Sequence, residues 1–311
     1  MRIRATVAAV SGALALSALA VPAAQADGSV SRADIAKVLK AGQAASGTSK
    51  SAFSASAVAA DAPYALDVSF SNVKVNKGKT IVAGTTGTLT VPVTYTMTHA
   101  ANVDIAAEDF FSDIELYYGA TYVDSEYGLY SDDFPVCKST STTVANCTQS
   151  IVIHPAWGDL ENAAAGKWKA AAYAVALNGQ DPSSDTFDVT KVGVAEKEGL
   201  PGVSILRAAR LSVNATPEPV KKGKTITVTG KLTRANWDGA NYTGYGNQAV
   251  KLQFRKSGTN TYTTVKTIRT AANGDLKTTV KATVDGFFRY VSATTVTTSD
   301  AYAAPDYIDV K

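Results

Sequence analysis

The chain of 311 residues holds two cysteines, two histidines and two methionines, and it has no Lys or Arg between Lys79 and Lys138. Each shortage excludes something. A zinc centre takes three or four ligands, usually His or Cys. His99 and His154 stand far apart in sequence, and two cysteines that bond each other leave too few donors. No Gly-x-Ser-x-Gly elbow accompanies either histidine, so a serine hydrolase would lack its signature turn. His154 sits between Ile151-Val152-Ile153 and Pro155, which is where a strand would end. The one long uncharged apolar run, after Arg4, covers about 16 residues, short of the roughly 20 a bilayer helix needs.

That run has another reading. Arg2 and Arg4 give a basic start, Ala, Val and Leu continue to Ala20, and Ala24-Gln25-Ala26 offers a small-x-small cleavage site. Residues 1–26 are therefore expected to be an export signal, which makes the protein secreted, extracellular or cell-wall associated. Residues 27–63 read as a short helix and a linker. Ser31 can cap the helix, with Asp34 three residues on, and Ile35, Val38 and Leu39 share one face up to a stop at Gly42. From Ala41 to Ala62 the chain is almost wholly Ala, Ser, Gly and Thr, which buries too little to offset ordering, so a flexible spacer is expected.

Strand signals begin at Tyr64. Leu66, Val68 and Phe70 alternate, and Thr, Val and Tyr crowd residues 88–97, where Pro92 argues for an edge strand or a bulge. An internal repeat carries more weight. Leu66-x-Val68 followed by Val75-Asn76-Lys77-Gly78-Lys79-Thr80-Ile81 matches Leu211-x-Val213 followed by Val220-Lys221-Lys222-Gly223-Lys224-Thr225-Ile226. Gly166-Lys167-Trp168 parallels Gly286-Phe287-Phe288, and Thr186-Phe187-Asp188-Val189 parallels Tyr307-Ile308-Asp309-Val310. Two copies of one β domain are implied, over 64–199 and 208–311, joined near Gly199-Leu200-Pro201-Gly202. In the second copy strands are expected at 211–213, 225–232, 248–255, 262–270, 276–283, 287–293 and 307–310. Asn273-Gly274 and Asp285-Gly286 supply tight turns. Short strands at this spacing point to a two-sheet sandwich. The first copy is longer, so an insertion is expected between Asp104 and Ser150.

The run from Val220 to Gly230, with Tyr245-Gly246-Asn247-Gln248-Ala249-Val250-Lys251-Leu252-Gln253-Phe254-Arg255 and Asp285-Gly286-Phe287-Phe288-Arg289-Tyr290, resembles the immunoglobulin-like repeats of secreted actinobacterial proteins. The resemblance covers about a third of the chain. It implies an extracellular β-sandwich, usually a spacer or binding module without catalysis, and it transfers no site residue. Some such proteins are labelled calcium-binding. The antibody pattern of two cysteines bridging the sheets around a Trp is absent. The fold expected is all-β, with two tandem immunoglobulin-like sandwiches after a signal peptide, a short helix and a linker.

Candidate chemistry is sparse. Cys137 and Cys147, ten positions apart in an exported chain, are expected to form a disulfide. Nine carboxylates fall between Asp104 and Asp133 with no basic residue among them. Clustered acids on loops are the raw material of a calcium site, and Asp124, Glu126, Asp132 and Asp133 are its best donors, although they do not fit the twelve-residue calcium loop. The alternative is a solvated acidic edge that discourages strand pairing. Tyr and Phe crowd the same stretch, which suits sugar rings or plain sheet packing. Trp237, with Tyr242 and Tyr245, forms a candidate binding surface, against simple packing over a sandwich end. Paired carboxylates also keep a glycoside hydrolase in view as a distant alternative.

Charge divides unevenly. Residues 27–207 carry 20 acidic and 13 basic groups, net −7, whereas 208–311 carry 7 and 15, net +8. Opposite signs allow the two halves to dock, or allow the second to sit on an anionic cell-envelope polymer or polysaccharide. Dispersed lysines on an exported chain fit nucleic acid poorly. A non-catalytic binding or scaffolding protein is the expectation.

Overall fold

The computed structural model describes residues 30–45 and 62–311. The expected export signal and most of the expected spacer lie outside the described residues. Among these, no helix is long and apolar enough to cross a membrane.

Helix α1 (Arg32–Ala45) begins with a reciprocal cap. The Asp34 N–H donates to Ser31 Oγ at 3.2 Å, and the Ser31 N–H donates to Asp34 Oδ2 at 3.2 Å. It runs three residues past Gly42, where the sequence suggested a stop. Its apolar stripe of Ile35, Val38 and Leu39 is buried against Tyr173, Val175, Leu177 and Val192. The helix is thus a layer of the first sandwich rather than a lead-in.

The first sandwich opens with β1 (Tyr64–Ala65), β2 (Val68–Val75), β3 (Ile81–Ala83) and β4 (Leu89–His99). It continues through β5 (Phe110–Tyr118), β6 (Tyr127–Leu129), β7 (Val136–Ser139) and β8 (Val144–Ile153). β9 (Gly166–Lys167), β10 (Lys169–Ala176), β11 (Gly193–Leu200) and β12 (Ser204–Arg207) complete it. One sheet has the order β1-β11-β10-β5-β6, the facing sheet β2-β4-β8-β7, and a small third sheet β3-β12-β9. Alternation builds the core: Val91, Val93, Tyr95 and Met97 from β4 meet Ile151 and Ile153 from β8 and Ile114 and Leu116 from β5. Each such aliphatic side chain contributes about 1.5–3 kcal/mol on burial. β10 is buried on both faces: Ala170, Ala172 and Ala174 meet the opposing sheet, while on the other side Tyr173 and Val175 meet α1 and Ala171 packs with Tyr117 and Tyr122.

The second sandwich has β13 (Ala209–Leu211), β14 (Asn214–Thr216), β15 (Thr225–Asn236), β16 (Asn241–Gly244) and β17 (Ala249–Lys256). β18 (Thr263–Arg269), β19 (Asp275–Lys281), β20 (Gly286–Ser292), β21 (Ala301–Tyr302) and β22 (Asp306–Ile308) follow. β15 pairs with β13, β14, β16 and β19, and faces a sheet in which β20 pairs with β17, β21 and β22 and β17 pairs with β18. Ile226, Val228, Val250, Leu252, Phe288 and Tyr290 fill this second core. Both bodies are immunoglobulin-like β-sandwiches. Gly78 and Gly223, the shared glycine of the repeat, both take left-handed backbone, with φ of 77° and 80°.

Several expectations are corrected. The stretch read as an insertion supplies β5, β6 and β7, regular members of the two sheets. Pro92 lies in an inner strand, but β2 stops at Val75 opposite Val93, so the proline sits just beyond its neighbour's end. Residues 186–189 form a turn and the start of a short 3-10 helix capped by Asp188, whereas 307–310 include strand. Gly286 serves close approach rather than a left-handed turn, since an added Cβ would lie 2.4 Å from the Arg255 carbonyl oxygen. The joint expected around 199–202 leads into β12, which pairs in parallel with β3 of the first sandwich.

Candidate functional site

The acidic stretch is largely interior. On β5 the residues Phe111, Asp113, Glu115 and Tyr117 point away from the first core, and covering structure closes over them. Asp113 is fully buried and ion-paired with Arg32 from the first turn of α1. Arg32 also donates from Nη2 to the Asp133 carbonyl at 3.0 Å and lies over the Phe134 ring at 4.5 Å. Gln149 Nε2 donates to Asp113 Oδ1 at 2.7 Å. The same amide accepts from the Ile114 N–H and donates to the Ile114 carbonyl, serving β5 as a strand neighbour would. Burial pushes the Asp113 carboxyl up to about 7 against the pull of Arg32. Glu115, also buried, accepts from the Tyr122 hydroxyl at 2.9 Å. Asp113 thus fastens a helix to the sheet and Glu115 a loop, which corrects the picture of a wholly solvated acidic edge.

The four calcium candidates remain on the surface. Asp124 accepts from Thr121 Oγ1 at 2.9 Å within a short turn, and Glu126, Asp132 and Asp133 are exposed. Among the described residues no three carboxylate, histidine or cysteine side chains converge on a point that could hold a metal. Calcium needs six to eight gathered oxygens, and this donor set is not gathered. Cys137 and Cys147 are bonded, facing one another across the β7–β8 pair.

Trp237 is not a surface anchor. The β15–β16 turn carries it into the first sandwich, where it is 3% exposed and packs among that body's core residues. Its indole Nε1–H donates to the Ala83 carbonyl at 3.2 Å and its backbone N–H to Asn162 Oδ1 at 3.0 Å. Asn162 in turn donates to both carboxylate oxygens of Asp238, at 2.9 and 2.7 Å. Buried Arg207 donates from Nε to the Ala235 carbonyl, and its backbone N–H to the Thr297 carbonyl at 3.0 Å. Burial lowers its pKa to about 10. Tyr242 lies 3.5 Å beneath the Arg210 guanidinium and packs against the first core, and Tyr245 lies 4.1 Å beneath Arg234 while packing against the second. The three residues are therefore spent largely on joining and closing the sandwiches.

Two surface features were not singled out from the sequence. Trp157, on the turn after β8, is 75% exposed, with one ring face stacked on His154 at 4.0 Å. Asp159 fixes that turn by accepting from the His154 N–H at 2.6 Å. The second feature is the outer face of the β17–β20 sheet. There Gln253, Arg255, Phe287 and Arg289 alternate with the inward Leu252, Phe288 and Tyr290. Within the second sandwich the ion pairs among described residues are Lys231 with Asp275 and Lys311 with Asp309, both on exposed side chains. Its excess of positive charge is otherwise unneutralised by its own acids.

No family model matches the chain, and no curated protein matches it. Among solved structures it is similar to the fibronectin(III)-like modules of Clostridium thermocellum CbhA, with 13% identity and a TM-score of 0.27 over 76% of this chain and 92% of that one. It is also similar to the Yersinia pseudotuberculosis adhesin InvE, with 13% identity and a TM-score of 0.25 over 78% and 59%. A third similarity is to a 1.5-MDa bacterial ice-binding adhesin, with 16% identity and a TM-score of 0.25 over 80% and 67%. These likenesses are too distant to bear on function, and the sandwich architecture is read from this chain's own strand pairing.

Proposed function

We propose that the protein is a secreted, non-catalytic binding or scaffolding module of the extracellular space or cell envelope, held to an anionic envelope polymer through its second sandwich. The first sandwich is the buttressed partner: α1 covers one sheet, the disulfide ties a hairpin, and Trp237 locks the second sandwich to it. One observation carries the reading. The second sandwich has a net charge of +8 with only two ion pairs among its described residues, so its field is free to draw a polyanion.

Such attraction weakens as salt screens it, with a screening length of ~10 Å at 0.1 M and ~3 Å at 1 M. The full chain should co-sediment with isolated bacterial cell walls at low salt and leave them at high salt. Failure to sediment at low salt, or retention that salt does not touch, would remove the basis of the proposal.

A further inference from the structure

On the outer face of the second sandwich, six side chains from four strands and one loop form a continuous row. Tyr307 of β22 lies 5.1 Å from Phe287 of β20, ring to ring. The Arg255 guanidinium of β17 lies 4.2 Å from the Phe287 ring and 5.4 Å from that of Tyr262, which precedes β18. The Arg289 guanidinium of β20 lies 3.7 Å from the same Tyr262 ring and 5.4 Å from Tyr302 of β21. The order is ring, ring, cation, ring, cation, ring. Register explains it: Arg255 stands opposite Phe287, and Gln253 opposite Arg289, all on outward positions.

Two features make this row more than packing. Both arginines share one tyrosine ring, and neither is ion-paired with a carboxylate among the described residues. Arg255 gives one Nη1 hydrogen bond to the Thr259 carbonyl and Arg289 one Nε hydrogen bond to Gln253 Oε1 at 2.9 Å. A guanidinium has five N–H donors, so most of each fork stays open. Stacking also fixes each fork in place, which lowers the entropy lost when an acid group docks bidentately. An anion bridging the two would relieve their mutual repulsion. The flanking Phe287, Tyr307 and Tyr302 offer apolar ring faces of the kind that cover sugar rings. From β22 to β18 the row crosses three strand spacings, roughly 15 Å, long enough for a polymer segment rather than a single small ion.

We infer that this row is a binding site for an acidic polysaccharide, with Arg255 and Arg289 holding its carboxylate or phosphate groups and the rings holding its sugars. The inference rests on the envelope-polymer reading and gives it an address. Binding of the full chain to polygalacturonate, to a phosphorylated mannan and to neutral dextran tests it, with the two acidic polysaccharides separating carboxylate from phosphate.

Combined Arg255→Ala and Arg289→Ala should weaken binding to the preferred acidic polymer about tenfold, as expected for losing charge-assisted contacts at an exposed site. Combined Lys277→Ala and Lys281→Ala removes the same charge from the opposite sheet and should change affinity less than about twofold, at the screened end of electrostatic effects. Arg255→Lys with Arg289→Lys keeps charge and fold and should still lose most of the affinity, because an ammonium lacks the flat fork. Equal losses from the alanine pairs, or full binding by the lysine pair, would overturn the site while leaving general attraction standing, whereas dextran binding as tight as that of the acidic polymers would overturn both. No binding of either acidic polymer by the parent chain would overturn both readings.

Discussion

Replacing Trp237 with alanine strikes one sandwich through a residue that belongs to the other. The side chain is 3% exposed and sits in the first core, although its backbone is the turn of a second-sandwich hairpin. A buried aromatic removes about 150–250 Å² from water, worth ~4–6 kcal/mol at ~25 cal/mol per Å². Truncations of Phe or Trp to Ala in cores cost about 3–5 kcal/mol. The lost indole hydrogen bond adds little, because the Ala83 carbonyl also accepts from the Ala208 N–H at 2.9 Å. A loss of ~4 kcal/mol, at roughly 2–4 °C per kcal/mol for a body of this size, lowers its melting temperature by about 8–16 °C. Differential scanning calorimetry should show the parent melting in one transition. The Trp237→Ala protein should show two, the earlier one belonging to the first sandwich. A single transition shifted by less than about 2 °C would refute the claim that this indole couples the two bodies, since that shift corresponds to no more than ~1 kcal/mol.

Three further outcomes follow from the same geometry. Burial holds the Asp113 carboxyl near 7, far above its unfolded value of 3.8, so between those values the folded chain binds more protons. Its contribution to stability is therefore greatest below about pH 4 and declines as pH rises towards 7, so Asp113→Asn should flatten the urea midpoint over that window; an unchanged slope would contradict the assignment. Reducing Cys137–Cys147 should cost up to about 3 kcal/mol on the loop-entropy estimate, read as a lower melting temperature in dithiothreitol and absent from a Cys137→Ala/Cys147→Ala chain. Trp157 is 75% exposed while Trp168 and Trp237 are 1% and 3% exposed, so acrylamide should quench one component of the fluorescence, and Trp157→Phe should remove it.

The local sequence carried the strands of the second sandwich well. Val250 and Leu252 alternate with polar neighbours, and the shared Lys-Gly-Lys-Thr-Ile turns keep their left-handed glycine in both sandwiches. Ser31 and Asp34 likewise announced a helix start that the backbone bears out. What the sequence hid was long-range. Asp113 and Glu115 look like surface acids because nothing nearby says that a helix some 80 residues earlier returns to cover β5. Trp237 lies in a wet-looking loop, and the pairing of β12 with β3, distant in sequence, brings the first-sandwich core to meet it. The arginine row was equally illegible: its members are scattered between Arg255 and Tyr307, and strand register alone makes them neighbours. Trp157 carried a weak signal, a tryptophan between Pro155 and Gly158 where a turn would present it outward.

Where a bound polyanion touches the chain decides whether the arginine row is the site. Arginine-specific modification by phenylglyoxal, read by mass spectrometry with and without polygalacturonate or phosphorylated mannan, maps that contact residue by residue. Protection of Arg255 and Arg289, with Arg210 and Arg269 labelled as before, is the predicted result. Protection elsewhere with these two unchanged, or no protection under conditions where the polymer binds, would contradict it.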